Sequence, residues 1–275
     1  MTPFVHLHVH TQYSLLDGQA SIGNLIDKAI ADGMPGMAIT DHGNMFGIKE
    51  FFNTVNKKNG KTKGAIKDAE ARAAEARAAG DEAAAAEAEA EAAKLRKKIF
   101  KPIFGCEMYV ANKDLHEQTD KRDTGRHLIV LAKNQTGYKN LIKLVSQGFT
   151  EGFYSHPRTD KQQLAAHREG LIIASACLGG ELPRLISAGE TEAAWEAARW
   201  WKETFGDDYY LELQRHRTTD PLGPREVYEM QKTVNAELIK MARELDIKLI
   251  ATNDVHFVNA DDAEAHDRLI CISTG

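Results

Sequence analysis

Seven short apolar runs, most of them followed by an amphipathic helical stretch, constrain this chain more than any other feature. They occupy residues 4–10, 37–40, 101–110, 126–132, 170–177, 209–214 and 248–253. Strands alternating with helices call for a parallel sheet joined by right-handed crossovers. Closing such a sheet gives an α/β barrel one strand short of the eight-stranded kind. An open doubly wound sheet is the alternative, but no Gly-rich phosphate loop follows the first run. The 275 residues suit one large α/β domain or two small ones. The helices between the runs are expected at 22–33, with Ser21 as N-cap and Gly33 as stop, and at 47–59, 138–147, 192–205 and 227–245. A last one begins near Asp261, and a Lys/Arg/Asp-rich loop spans 113–125.

One stretch breaks the alternation. From Gly60 to about Lys98 the sequence turns to Ala, Glu, Lys and Arg without an aromatic residue. Ala and Glu are strong helix formers, and Gly80-Asp81 interrupts the run once, so two antiparallel helices are expected. A disordered charged linker is the rival reading. Neither gives the stretch any chemistry.

The polar residues that carry chemistry fall at the ends of the runs. His6, His8 and His10 alternate with Val5, Leu7 and Val9, so the three imidazoles share one face. A histidine-rich edge strand would account for that alone. However, His42 follows the second run, Cys177 closes the fifth, and Asp254-Val255-His256 repeats the i, i+2 spacing after the seventh. Asp17 lies on the loop beyond the first run and Glu107 lies within the third. His127 fits least well, because it starts its run instead of ending it. Functional groups of parallel α/β folds gather at strand carboxyl ends. A set of His, Asp, Glu and one Cys suits zinc, manganese or iron, whereas calcium prefers all-oxygen cages. Nine ligands are too many for one ion and about right for two or three, with a carboxylate such as Glu107 shared. Carboxylate-rich multinuclear centres are the catalytic kind.

Composition limits the partners. The net charge of −5 provides no global basic field for nucleic acid, which counts against a free-standing DNA-binding module and less against a metalloenzyme. Three widely spaced cysteines, Cys106, Cys177 and Cys271, make no disulfide framework and point to a reducing cytoplasm. No signal-peptide pattern and no membrane-length apolar run is visible, so a soluble protein without membrane partners is expected.

His8-x-His10, Asp17, Thr40-Asp41-His42-Gly43-Asn44, Glu107, His127, Cys177 and Asp254-x-His256 together resemble the motifs of the PHP (polymerase and histidinol phosphatase) superfamily. The text around them is similar to one branch, the N-terminal domain of bacterial replicative DNA polymerase III alpha subunits. Tyr13-Ser14-Leu15-Leu16-Asp17-Gly18, Asp41 to Gly47 and Tyr210 to His216 carry that likeness. It covers nearly the whole chain, residues 1–275, except the insertion at 60–98. The resemblance implies a distorted seven-stranded barrel with a trinuclear centre. By analogy, His8, His10, Glu107 and Asp254 would hold one ion, and Glu107, His127 and Cys177 a second. Asp17, His42 and His256 would hold the third. His6 would be left to packing or support. Cys177, where many small-molecule phosphatases of the superfamily have histidine, favours the polymerase branch.

The resemblance also implies a job. A metal-activated water would serve a 3′–5′ exonuclease that trims the primer 3′ end of DNA. The alternatives are a metal-braced scaffold contacting other replisome subunits and, with least support, a free small-molecule phosphatase. The chain would then be an excised part of a much longer polymerase, unable to polymerise DNA alone. Arg158 and His216 are the candidates for substrate phosphate contacts.

Overall fold

Several helices begin where the sequence places a side-chain cap. Ser21 accepts the Asn24 N–H ahead of α1 (Ile22–Ala31), and Asn134 accepts the Gly137 N–H at 2.9 Å ahead of α4 (Gln135–Thr150). Asp160 does the same for Gln163 at the start of α5 (Lys161–Ala166). The computed structural model describes residues 4–118, 123–218 and 225–274, so part of the 113–125 loop lies outside the described residues. The chain divides into two compact units.

The smaller unit takes in residues 21–37 and 48–102. The helix expected at 47–59 and the first arm of the hairpin are one continuous helix, α2 (Ile48–Ala78), because Gly60 and Gly64 sit in open space and nothing stops it. The chain reverses at Gly80, which takes φ +79° as few other residues would, and returns as α3 (Glu82–Arg96). Ion pairs Arg72–Glu91, Arg77–Glu89 and Arg96–Glu70 fix the antiparallel register. Ala69, Ala73, Ala85, Ala88 and Ala92 form the buried seam. At its base the Asn59 amide donates to the Phe100 carbonyl at 2.8 Å and accepts from the Phe100 N–H. The insertion is therefore helical, as its composition predicts.

The larger unit holds residues 6–20, 38–47 and 103–275. Its strands belong to a mixed sheet ordered β4-β5-β2-β3-β6-β7-β8, with β1 (Gly36–Ile39) paired to β2 (Lys101–Val110). The others are β3 (Arg126–Ala132), β4 (Phe153–Tyr154), β5 (His156–Thr159), β6 (Leu171–Ala174), β7 (Tyr209–Leu213) and β8 (Lys248–Ala251). The expectation of a wholly parallel sheet is wrong at β3. No helix is described between β2 and β3, and β3 runs antiparallel to both β2 and β6. Two further expectations change. Residues 4–10 form no strand of a ladder; His8 lies at a bend, Val9 makes an isolated bridge to Val255, and His6 and Val9 accept single backbone bonds from Ala38 and Thr40. The pair β4 and β5, which Pro157 and short length disguise, was not expected at all.

Outside the sheet α4, α6 (Glu181–Ser187), α7 (Thr191–Phe205) and α8 (Glu226–Glu244) cover a core that includes Val130, Leu141, Leu144, Ile173, Trp201, Leu211 and Leu238. Burying a side chain of that size removes roughly 1.5–3 kcal/mol of exposure cost each. Trp201 donates its indole N–H to Glu181 at 2.7 Å, so the largest core ring leaves no polar atom unpaired. The chain ends in α9 (Ala263–Thr274), which has no buried residue. Among the described residues no helix is long and apolar enough to cross a membrane.

Candidate metal centre

All nine candidate ligands converge within the larger unit. The bridge between Val9 and Val255 lays His8-Val9-His10 beside Asp254-Val255-His256, with His10 N–H donating to the Val255 carbonyl and Val255 N–H to His8. Asp254 Oδ1 then lies 3.1 Å from His8 Nε2 and 3.3 Å from His10 Nε2. Glu107 points from β2 into the same space. One carboxylate oxygen lies 3.3 Å from His8 Nε2 and 3.0 Å from His127 Nδ1, the other 3.0 Å from His10 Nε2 and from His42 Nδ1. Asp17 Oδ2 is 3.0 Å from His42 Nε2 and 2.9 Å from His256 Nε2. Cys177 Sγ is 3.5 Å from His127 Nδ1 and 3.7 Å from Glu107.

The antiparallel β3 explains His127. Its first residues lie opposite Tyr109 and Val110 at the carboxyl end of β2, and His127 bridges to Gly180 just beyond β6. A residue at the start of β3 therefore shares the end of the sheet where parallel strands finish.

Three geometric groupings could each surround an ion: His8, His10, Glu107 and Asp254; His42, Glu107 and His127; and His10, Asp17, His42 and His256. Cys177 stands beside the second. The donor atoms themselves indicate what the space suits. His8 Nε2, His10 Nε2, His42 Nδ1, Glu107 Oε2 and Asp254 Oδ1 are buried and make no hydrogen bond, although they lie about 3 Å from one another. Buried polar atoms are nearly always paired. Atoms that face one another at this distance without hydrogen-bond geometry direct lone pairs at common points, as metal ligands do.

The far sides of the rings are pinned. His8 Nδ1 lies 3.0 Å from Glu212 Oε2, and since a carboxylate only accepts, one proton stays on Nδ1, which makes Nε2 the nitrogen that can give up its proton to face a metal. Ser14 donates its hydroxyl to Asp41 at 2.7 Å and so accepts from His10 Nδ1 at 2.9 Å, which orients His10 likewise. His256 Nδ1 donates to the Asp254 carbonyl at 2.8 Å. Glu212 and Asp41 lie inside the motifs quoted from the sequence but receive no role there. A carboxylate inside the apolar β7 and an Asp beside His42 were the available signals.

Without a metal the charges hold one another. Burial opposes protonation of His8, but Asp254, Glu107 and Glu212 outweigh it and raise its pKa well above the ordinary value. Burial likewise opposes protonation of His42, yet Glu107 and Asp17 raise it to about 10. Burial would raise Glu107, and His127, His8 and His42 instead hold it well below the carboxylate range. Burial and then the Glu107 charge push the Cys177 thiol up, so it is protonated unless a metal displaces the proton. The turns that carry these groups are strained: Leu16, Ala176 and Asp254 take positive φ without being glycine, beside or at Asp17, Cys177 and Asp254.

The two candidate phosphate contacts fare differently from the ligands. Arg158 is fully buried, and its guanidinium is spent on the Asp123 carboxylate and on four backbone carbonyls. It is a structural tie, which corrects its expected role. His216 is tied to Gln231, which lies 3.1 Å from its Nδ1.

Comparison with known proteins agrees with this geometry. The PHP domain family model matches residues 6–216. The DNA polymerase III subunit alpha of Borreliella burgdorferi is 43% identical over 274 residues, covering 99% of this chain and 20% of that protein. Those of Treponema pallidum and Campylobacter jejuni are 38% and 36% identical over 98% and 100% of this chain, and 19% and 20% of theirs. The chain thus spans about a fifth of the length of these relatives. The chain belongs to the PHP domain family.

Proposed function

We propose that these residues are the PHP domain of a bacterial DNA polymerase III alpha subunit, one domain carrying the 60–98 insertion. In this reading its centre hydrolyses a phosphodiester bond as a 3′–5′ exonuclease at a primer end. The observation that carries the hydrolytic reading is the set of buried, unpaired donor atoms facing one another. The identity to those polymerase subunits over nearly all of this chain supports the wider setting, with DNA and other replisome subunits as partners in the cytoplasm. A closed barrel is supported by the backbone bonds of residues 6–10 to Ala38 and Thr40 on one side and to Val255 on the other.

In this reading two to three zinc, manganese or iron ions are held. His8, His10, Glu107 and Asp254 take one, Glu107, His127 and Cys177 the second with His42 in reach, and Asp17, His42 and His256 the third. Bound there, such ions supply an activated water and offset charge on the attacking and leaving oxygens. The chain's part is to fix the donors. Glu212 and the Ser14–Asp41 pair keep the Nδ1 protons of His8 and His10 on the outer side, and Glu107 spans the groupings.

Two results are expected. Elemental analysis of the purified chain should find two to three ions, and chelation should stop release of 3′-terminal nucleotides from DNA until manganese or zinc is restored. Bound ions that raise the melting temperature without any hydrolysis would favour the scaffold instead, and no bound ions would sink both readings. Loading at pH 7 should release protons from the histidines held protonated, so affinity should weaken as pH falls; the buffer dependence of the binding heat measures this. Replacing a partner of the outer nitrogens, Glu212→Gln, should weaken metal affinity about 10–100-fold in a competition assay with a chromophoric chelator.

A further inference from the structure

Two large aromatic rings stand in solvent where the core could have hidden them. Phe46 is 58% and Phe149 42% exposed, and their centroids are 5.9 Å apart, so they cover each other only in part. A contiguous exposed apolar patch is one mark of a binding surface, whereas single exposed rings are ordinary.

Their position relates them to the metal centre. Phe46 N–H donates to the Asn44 side chain, whose amide donates to the carbonyls of His42 and Tyr13. The loop that carries a ligand therefore also fixes Phe46. On its other side Gly43, at φ +63°, lies so close to Pro157 and the Tyr109 ring that a Cβ would come within 2.7 Å of Pro157. Gly148, just before Phe149, packs against Pro157 and Arg158. A file of rings continues outward from the centre: His42 stacks on Tyr109 at 5.8 Å, and Tyr109 on half-exposed His156 at 4.4 Å and 17°. Ser155, beside His156, is held at φ 62°.

Two arginines lie near His127. Arg126 precedes it in β3. Arg184 is one helical turn past Gly180, the residue bridged to His127, and it has no ion-pair partner among the described residues. In a chain of net charge −5, two neighbouring arginines at one site are suited to phosphate.

We infer that Phe46, Phe149 and His156, backed by Tyr109, form a base-stacking platform for an unpaired nucleic acid strand whose phosphates meet Arg126 and Arg184. This rests on the hydrolytic reading only for what happens next to the strand, and binding can be tested apart from it. Stacking tolerates any base because each has a π-face, whereas a duplex has no free face to offer.

The test is fluorescence anisotropy of the full chain with manganese, using labelled twelve-residue oligo-dT, oligo-U and a blunt DNA duplex. Tighter binding of the single strands than of the duplex is expected. Phe46→Ala/Phe149→Ala should weaken single-strand binding about 10-fold or more, and Phe46→Tyr/Phe149→Tyr should restore it. Arg184→Gln should lower the slope of log affinity against log salt. Equal binding of duplex and single strand, or unchanged affinity in the double alanine variant, would overturn the inference. Comparing oligo-dT with oligo-U assigns the strand to DNA or RNA. Hydrolysis of bis(p-nitrophenyl) phosphate by the unaltered chain tests the hydrolytic reading separately.

Discussion

Glu107→Gln is expected to reduce metal-dependent phosphodiester hydrolysis by about 1,000-fold or more while leaving the chain folded. The carboxylate is 1% exposed and lies within 3.0–3.3 Å of His8, His10, His42 and His127, so it is the one group shared by the first two groupings. Glutamine fills the same volume but keeps a single acceptor oxygen and places an NH2 donor where the other oxygen faced a metal. One shared ligand is lost and a charge of −1 with it, and the several kcal/mol that metal charge stabilisation supplies correspond to that rate factor. Metal content measured alongside kcat should fall by one ion or more. Full activity with a full metal complement would show that Glu107 is not the shared ligand.

The same variant has a signature in the metal-free chain. Burial opposes protonation of His8 and His42, and Glu107 is among the carboxylates that overcome it. Removing that carboxylate should move both histidine titrations to lower pH, which NMR reads directly. The stability consequence has a definite sign. A histidine raised in the folded state adds stability that is complete below about pH 6.5 and is lost as pH rises, through about 10 for His42. The metal-free parent should therefore lose melting temperature over that window more steeply than the Glu107→Gln chain.

Much of the centre was legible because ligands sit at run ends and repeat at i, i+2. His8-Val9-His10 and Asp254-Val255-His256 could be matched before any pairing was known, and the Val9–Val255 bridge is their physical link. His127 fits the sequence pattern least well, since alternation of strands and helices implies parallel neighbours. Strand direction depends on whether the returning segment is a loop or a crossover helix, and residues 111–125 do not declare which. The supporting carboxylates were hidden for another reason. Glu212 and Asp41 act on the outer nitrogens of histidines distant in sequence, and no local pattern records such a partner. The Phe46–Phe149 pair was equally invisible: both lie outside the helices expected at 47–59 and 138–147, where periodicity says nothing about exposure.

Arg158 is where reading by residue type failed, and it supplies the second large effect. Arg158→Ala should destabilise the chain by about 3–5 kcal/mol, the usual cost of breaking a buried ion pair from one side. At about 2–4 °C per kcal/mol for a domain near this size, the melting temperature should fall by roughly 10 °C. The guanidinium is fully buried in β5, over the Tyr154 ring at 5.0 Å. Nη1 donates to the Asp123 carboxylate at 3.1 Å and to its carbonyl at 3.3 Å; Nη2 donates to the Leu115 and Glu117 carbonyls at 3.1 and 3.0 Å. Asp123 in turn accepts from the Asn112 and Gly125 N–H groups. One side chain thus ties β5 to described parts of the 113–125 loop, whose far end leads into His127. Alanine would leave the buried Asp123 charge without its cation and take the guanidinium donors away from the Leu115 and Glu117 carbonyls. Arg158→Lys should recover only part of the loss, because an ammonium cannot reproduce the planar fork. Thermal melting and metal content read together decide the matter. A phosphate-binding arginine would raise KM and leave the melting temperature unchanged, whereas a structural tie lowers the melting temperature first and weakens the His127 side of the centre with it.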